Sequence, residues 1–158
     1  MGFSSRPEVS KYIQEAFDMD DLDWKISAIF AMSRSADIRW AKHILSSLDD
    51  PEPEVHFEAI RAAGELELMP ARQSMLEMLL EPENREDKDI SKAIIWSLSQ
   101  IGGDNVREAF TVLQEDMIEE EDSVFLEEAL ENLSLTEGFK SLGIFDSDLL
   151  DKNGFDED

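Results

Sequence analysis

The sequence has no cysteine, one tyrosine and only two histidines among 158 residues. Without Cys there is no disulfide, no zinc–thiolate site and no Cys nucleophile. No stretch comes near the run of about 18 apolar residues that a membrane-spanning helix needs. An apolar N-terminal leader is missing too, so the expected setting is cytoplasmic, with no membrane partner. Positive charge is also scarce: 14 Lys+Arg stand against 38 Asp+Glu, for a formal net charge of -24. A phosphate backbone would be repelled at every encounter, which excludes nucleic acid as the main partner. No P-loop, G-x-G-x-x-G or G-x-S-x-G sequence is present to hold a nucleotide or a serine nucleophile. His43 has no His or carboxylate four residues on, as a helical metal site would require. The tail from Asp151 to Asp156 also fails as a calcium loop, because Gly154 in the loop's sixth place puts Leu149 in the first. The chain is therefore expected to be non-enzymatic, with no catalytic residue, cofactor or metal.

What the chain does have is 42% hydrophobic residues, too many for an acidic disordered chain and enough for a real core. Its acidity is graded. Residues 1–48 carry six Lys/Arg and seven Asp/Glu, residues 49–118 six and seventeen, and residues 119–158 two and fourteen. The apolar residues repeat. The helical pattern Val55-His56-Phe57-Glu58-Ala59-Ile60-Arg61-Ala62-Ala63 recurs 31 residues earlier from Trp24, 35 later from Ile90, and 35 later again in Phe125–Leu133. Ala28, Ala59, Ile94 and Ala129 are thus equivalent, as are Met32, Ala63, Leu98 and Leu133. Small residues at such places let helices approach closely. Between these copies runs a second stripe at buried-helix spacing: Val9, Tyr12, Ile13, Ala16 and Phe17; then Trp40, Ile44, Leu45 and Leu48; then Ala71, Met75, Leu76 and Leu79; then Val106, Phe110 and Leu113. Trp24 and Trp40 both fall on these stripes and are expected in the core.

Asp50-Pro51-Glu52-Pro53-Glu54, Met69-Pro70, Glu81-Pro82 and Gly102-Gly103 punctuate the pattern. No stretch alternates long enough to be a strand. The reading is all-α: eight helices in four antiparallel pairs, at 7–18/22–34, 37–48/52–66, 70–81/87–101 and 104–118/121–134. A repeat of this kind, stacking unit on unit, makes an α-solenoid over residues 1–135. Residues 136–158 are expected to form an acidic, partly disordered tail, with 139–150 docking over the last pair as a cap.

The phrase Asp50-Pro-Glu-Pro-Glu-Val55, followed by Glu58-Ala59 and Ala62-Ala63-Gly64-Glu65-Leu66, resembles a HEAT repeat of the short, phycobilisome-lyase-like type. Ile95–Gly103 is similar to the second half of the same unit. The resemblance implies a right-handed stack with the second helix of each pair lining the concave side. That family often places Arg directly after the Val position, reaching an Asp in a neighbouring turn. Here the place holds Lys25, His56, Ser91 and Leu126, so an ion-pair ladder is not expected and apolar packing must carry the stack.

With Val55, Ala59, Ala62, Ala63 and Leu66 turned to the core, the opposite face of the second helices carries the residues that point to function. Phe30, Phe57 and Trp96 are expected across three successive helices, with Arg34, Arg61, Lys92 and Gln100 among them. Solvated helix faces avoid aromatics, and aromatics beside Arg are what binding hot spots use. The expected function is a scaffold that binds a protein partner segment, one with apolar anchors and carboxylates, on an aromatic, locally positive groove. The resemblance also implies an alternative, an accessory protein of a lyase-like enzyme handling a small ligand or chromophore. The abrupt apolar start after Pro7 suggests that the N-terminal end continues into, or pairs with, further repeats.

Overall fold

The computed structural model describes the backbone of residues 6–157 and the side chains of residues 7–142. The described residues form nine α-helices: α1 (Arg6–Asp18), α2 (Leu22–Ser35), α3 (Ala41–Ser47), α4 (Pro53–Glu65), α5 (Arg72–Leu80), α6 (Pro82–Glu86), α7 (Lys88–Ile101), α8 (Val106–Asp116) and α9 (Glu120–Glu157). Short 3-10 turns, Ile38–Trp40 and Met69–Ala71, lead into α3 and α5. The chain is an all-α solenoid of stacked helix pairs.

Local chemistry sets the boundaries. Asp21 caps α2 by accepting a hydrogen bond from the Trp24 amide at 3.1 Å, and Asp87 caps α7 by accepting from the amides of Asp89 and Ile90. Pro53 and Pro82 open α4 and α6, where a missing N–H costs nothing. At its C-terminus α7 stops at Gly102, whose φ of 65° suits a residue without a Cβ.

The second helices of the pairs stack directly on one another, α2 on α4, α4 on α7 and α7 on α9. The first helices attach to them: α1 packs on α2, α3 on α4, α5 on α7 and α8 on α9. The core therefore runs as one strip between the two layers, through Ile29, Met32, Ile44, Ile60, Met75, Ile94, Leu98, Phe110, Leu126 and Leu133. The two sets of equivalent positions, Ala28/Ala59/Ile94/Ala129 and Met32/Ala63/Leu98/Leu133, are all buried. Gly64 is the tightest point of the stack. A Cβ built there would lie 2.6 Å from the Ser97 Cβ and 2.7 Å from its Cα, so only Gly lets α4 and α7 meet. Ser97 uses the approach to donate a hydrogen bond to the Ile60 carbonyl at 2.9 Å.

Three expectations need correction. Trp24 is 54% exposed rather than in the core, whereas Trp40 is 6% exposed and packs its ring edge-on to His43. Val9 and Tyr12 are exposed as well, leaving Ile13, Ala16 and Phe17 to anchor α1. The shared reason is position: these residues lie at the first pair, where no described helix packs on their outer side. The third correction concerns the ion pairs. Lys25, in the place after the Val position, does reach Asp50 of the next turn at 3.0 Å. The ladder ends at that rung, because His56 turns its Nδ1 to the Leu48 carbonyl, 2.6 Å away.

Beyond residue 135 the α9 backbone remains helical to Glu157. Of the segment expected to cap the stack, residues 143–150 lie outside the described side chains. Within 139–142, Phe139 and Leu142 are exposed, and the Lys140 ammonium donates to the Ile101 carbonyl at the end of α7. Among the described residues no helix is long and apolar enough to cross a membrane.

Candidate functional site

The helical period fixes which second-helix residues share a face. With Ala28, Ala59, Ile94 and Ala129 inward, two residues further on in each helix point away from the core. Those positions are Phe30, Arg61, Trp96 and Glu131. One turn beyond them stand Arg34, Glu65, Gln100 and Leu135. Phe57 and Lys92 belong to a neighbouring row, and Phe57 is partly buried against the core. The seven residues expected at the site therefore share one surface, but as three rows and not one line of aromatics.

Phe30 and Trp96 are the large apolar members left open, at 49% and 39% exposure. Both are held in place by neighbours. The Arg61 guanidinium lies 5.3 Å from the Phe30 ring centroid, within cation–π range. Trp96 meets Phe125 of α9 at 6.3 Å between centroids, and the Lys92 ammonium sits 5.5 Å from the same Phe125 ring. Phe125 thus completes a second aromatic–cation group across the α7–α9 seam. It was placed in the repeat by sequence but not in the site. Trp96 and Gln100 also border an open depression with Asn132, Thr136 and Phe139.

Electrostatics differs from the expected positive groove. Arg61 is bound by Glu58 at 2.5 Å and by Glu65 at 2.7 Å. Arg34 reaches the same Glu65 at 3.4 Å. Burial works against the Arg61 charge, but the two carboxylates outweigh it and hold its pKa above the ordinary value. The cations of the first two rows are thus neutralised by their own helix and by the next. A signal for part of this was in the chain: Arg34 and Glu65 are 31 residues apart, the repeat offset from α2 to α4, and Lys88–Glu119 and Arg85–Asp116 pair at the same separation. Toward α9 the face turns acidic, with Glu127, Glu128 and Glu131 exposed.

Chemically the surface offers rings, amides and balanced charge. Among the described residues no group of His and carboxylates is placed to hold a metal ion. His43, whose buried Nδ1 has no hydrogen-bond partner among the described residues, packs between Phe17 and Trp40 at the edge of the core.

No curated protein matches this sequence. The family model of HEAT repeats matches residues 41–134, from α3 through the first half of α9 and so across three of the four second helices described above. With that span, the helix-pair architecture and the repeating buried positions in agreement, the chain belongs to the HEAT-repeat family.

Proposed function

We propose that this protein is a non-enzymatic scaffold that binds a segment of a protein partner on the concave face formed by the second helices α2, α4 and α7. The observation that carries this reading is the pair Phe30 and Trp96, half-exposed and each fixed beside a second aromatic or a cation. Rigid aromatics of this kind supply large contact area at little entropic cost. HEAT repeats commonly mediate protein–protein contacts, which supports the same reading. Phe30, Arg34, Phe57, Arg61, Lys92, Trp96 and Gln100 form the contact surface, with Phe57 and Arg61 acting mainly to hold it in shape. Because Glu58 and Glu65 already satisfy Arg61, the partner's apolar anchors matter more than its carboxylates. The Asp50-Pro-Glu-Pro-Glu-Val and Ala62-Ala63-Gly64 sequences favour the short, phycobilisome-lyase-like kind of repeat. A net charge of -24 favours protein over nucleic acid as partner, and a cysteine-free chain suits a cytoplasmic setting.

The test is affinity capture from cell extract with the wild type and a Phe30→Ser/Trp96→Ser variant. Both substitutions are at exposed positions, so circular dichroism should show the fold unchanged. The wild type should retain proteins that the variant loses. Equal recovery of every retained protein would remove this face as the binding surface.

A further inference from the structure

Three seams join the second helices, and all use the same repeat positions. The later helix of each seam turns two residues toward the earlier one: Val55 and Ala62 on α4, Ile90 and Ser97 on α7, Phe125 and Asn132 on α9. The contacts bear this out. Arg61, next to Ala62, reaches Ser33 of α2 at 3.3 Å, Ser97 lies against Gly64, and Asn132 donates to Ser99 at 2.9 Å. One repeat before Val55 and Ala62 are Trp24 and Ala31, on the edge of α2 that faces away from α4. On that edge Ala31 is partly buried against the core, and Trp24 is left open. Trp24 is 54% exposed where Val55 is 0% and Ile90 7%. On α1 of the same end, Val9 is 38% and Tyr12 64% exposed.

We propose that this edge is where two copies of the chain meet, α2 against α2, about a two-fold axis. It continues the surface that already forms every seam within the chain, so its shape and polarity are those of a helix-packing face. Its charge suits a second copy. Residues 1–48 hold six Lys/Arg and seven Asp/Glu, while residues 49–158 hold eight and thirty-one. Joining the near-neutral ends keeps the acidic parts of the two copies furthest apart, and charge repulsion fades beyond about 10 Å at ordinary ionic strength. A cationic foreign partner would be drawn to the acidic part of the chain instead. Head-to-tail stacking is disfavoured by the opposite edge. There, the onward-facing positions that are Ile26 and Ser33 in α2 become Glu127 and Ser134, both exposed, and Arg107 of α8 occupies Ser134 and Glu137. An isologous contact also closes after two subunits, as most oligomers do.

This inference is independent of the partner-binding face and is tested separately, by sedimentation equilibrium of the full chain over a range of concentrations. Wild type should fit a monomer–dimer equilibrium. Trp24→Glu should weaken the dimer by about 30-fold or more, as loss of a central aromatic contact does. Tyr12→Glu should weaken it as well, and Glu127→Lys should leave it unchanged. Melting of each variant at a concentration where wild type is monomeric separates dissociation from misfolding. Should Trp24→Glu fail to fold, Trp24→Ser gives the same reading. A wild type that stays monomeric throughout would overturn the proposal. So would a Trp24 variant that dimerises as tightly as wild type, or an open series of growing species.

Discussion

Trp24 and Ile90 hold the same place in their helices, yet one is 54% exposed and the other 7%. Nothing in either helix accounts for the difference. Ile90 is covered because α4 lies on that side of α7, and Trp24 is open because no described helix lies on that side of α2. Gly64 and Ser134 make the same comparison at the other edge. Gly64 is closed off by Ser97, while the equivalent Ser134 is exposed and bonds to Arg107. In a solenoid each unit touches only its neighbours, so burial is a property of the seam and not of the repeat. The two ends are also unlike each other. At the equivalent seam positions the first presents Trp24, with Tyr12 and Val9 beside it on α1, whereas the last presents the polar Glu127 and Ser134, with Leu135, Phe139 and Leu142 exposed elsewhere on α9.

The largest effect is expected at the sealed seam. Gly64→Ala forces its methyl group into the Ser97 backbone and should cost about 3 kcal/mol, seen as a lower midpoint in urea or heat. Ser134→Ala, at the same repeat position on the open edge, should stay within about 0.5 kcal/mol. Equal effects would mean that the seams do not decide stability. Next comes the comparison of Val55 and Trp24. Val55→Ala removes only two methyl groups but should cost about 2 kcal/mol, because the site is fully enclosed. Trp24→Ala removes a far larger side chain and should cost less than about 1 kcal/mol when measured on the monomer. A reversal of that order would show that Trp24 is packed in the folded chain.

The smallest effect tests the Lys25–Asp50 ion pair between the first two units. Burial tends to raise the Asp50 pKa, but the Glu52 amide, Lys25 and the nearby His56 together bring it below the ordinary carboxylate value. A lowered folded pKa stabilises the chain above the unfolded value of about 3.9, and that contribution disappears as pH falls through the folded value. The pair is partly exposed, so about 0.5 kcal/mol is expected at neutral pH. Asp50→Asn should therefore melt below wild type at pH 7 and approach it near pH 3. A gap that stays constant with pH would assign the effect to packing rather than to charge.

Much of this was legible before any coordinates. The 31- and 35-residue offsets fixed the repeat and its breaks, and the two sets of equivalent positions that start at Ala28 and Met32 are buried in all four copies. Phe30 and Trp96 were identifiable as outward residues because they lie opposite Ala28 and Ile94 on their helices. Phe125 was not, since its own register marks it as a seam residue, and only the α7–α9 crossing brings it beside Trp96. The pairing of Arg61 with Glu58 and Glu65 was open to view at helical spacing, yet side-chain direction decided that both carboxylates serve one guanidinium. That outcome turned an expected positive groove into a neutral one.

By itself the sequence determined the helical repeat, because apolar period and turn residues are local and each unit carries them in full. It also settled the graded acidity, which depends on composition alone. Tertiary structure decided which copies of a repeated position are covered, since equivalent residues have nearly equivalent sequences and differ only in what lies beside them. Trp24 is the clearest case: its register belongs to the core, and it is exposed because no described helix lies on that side of α2.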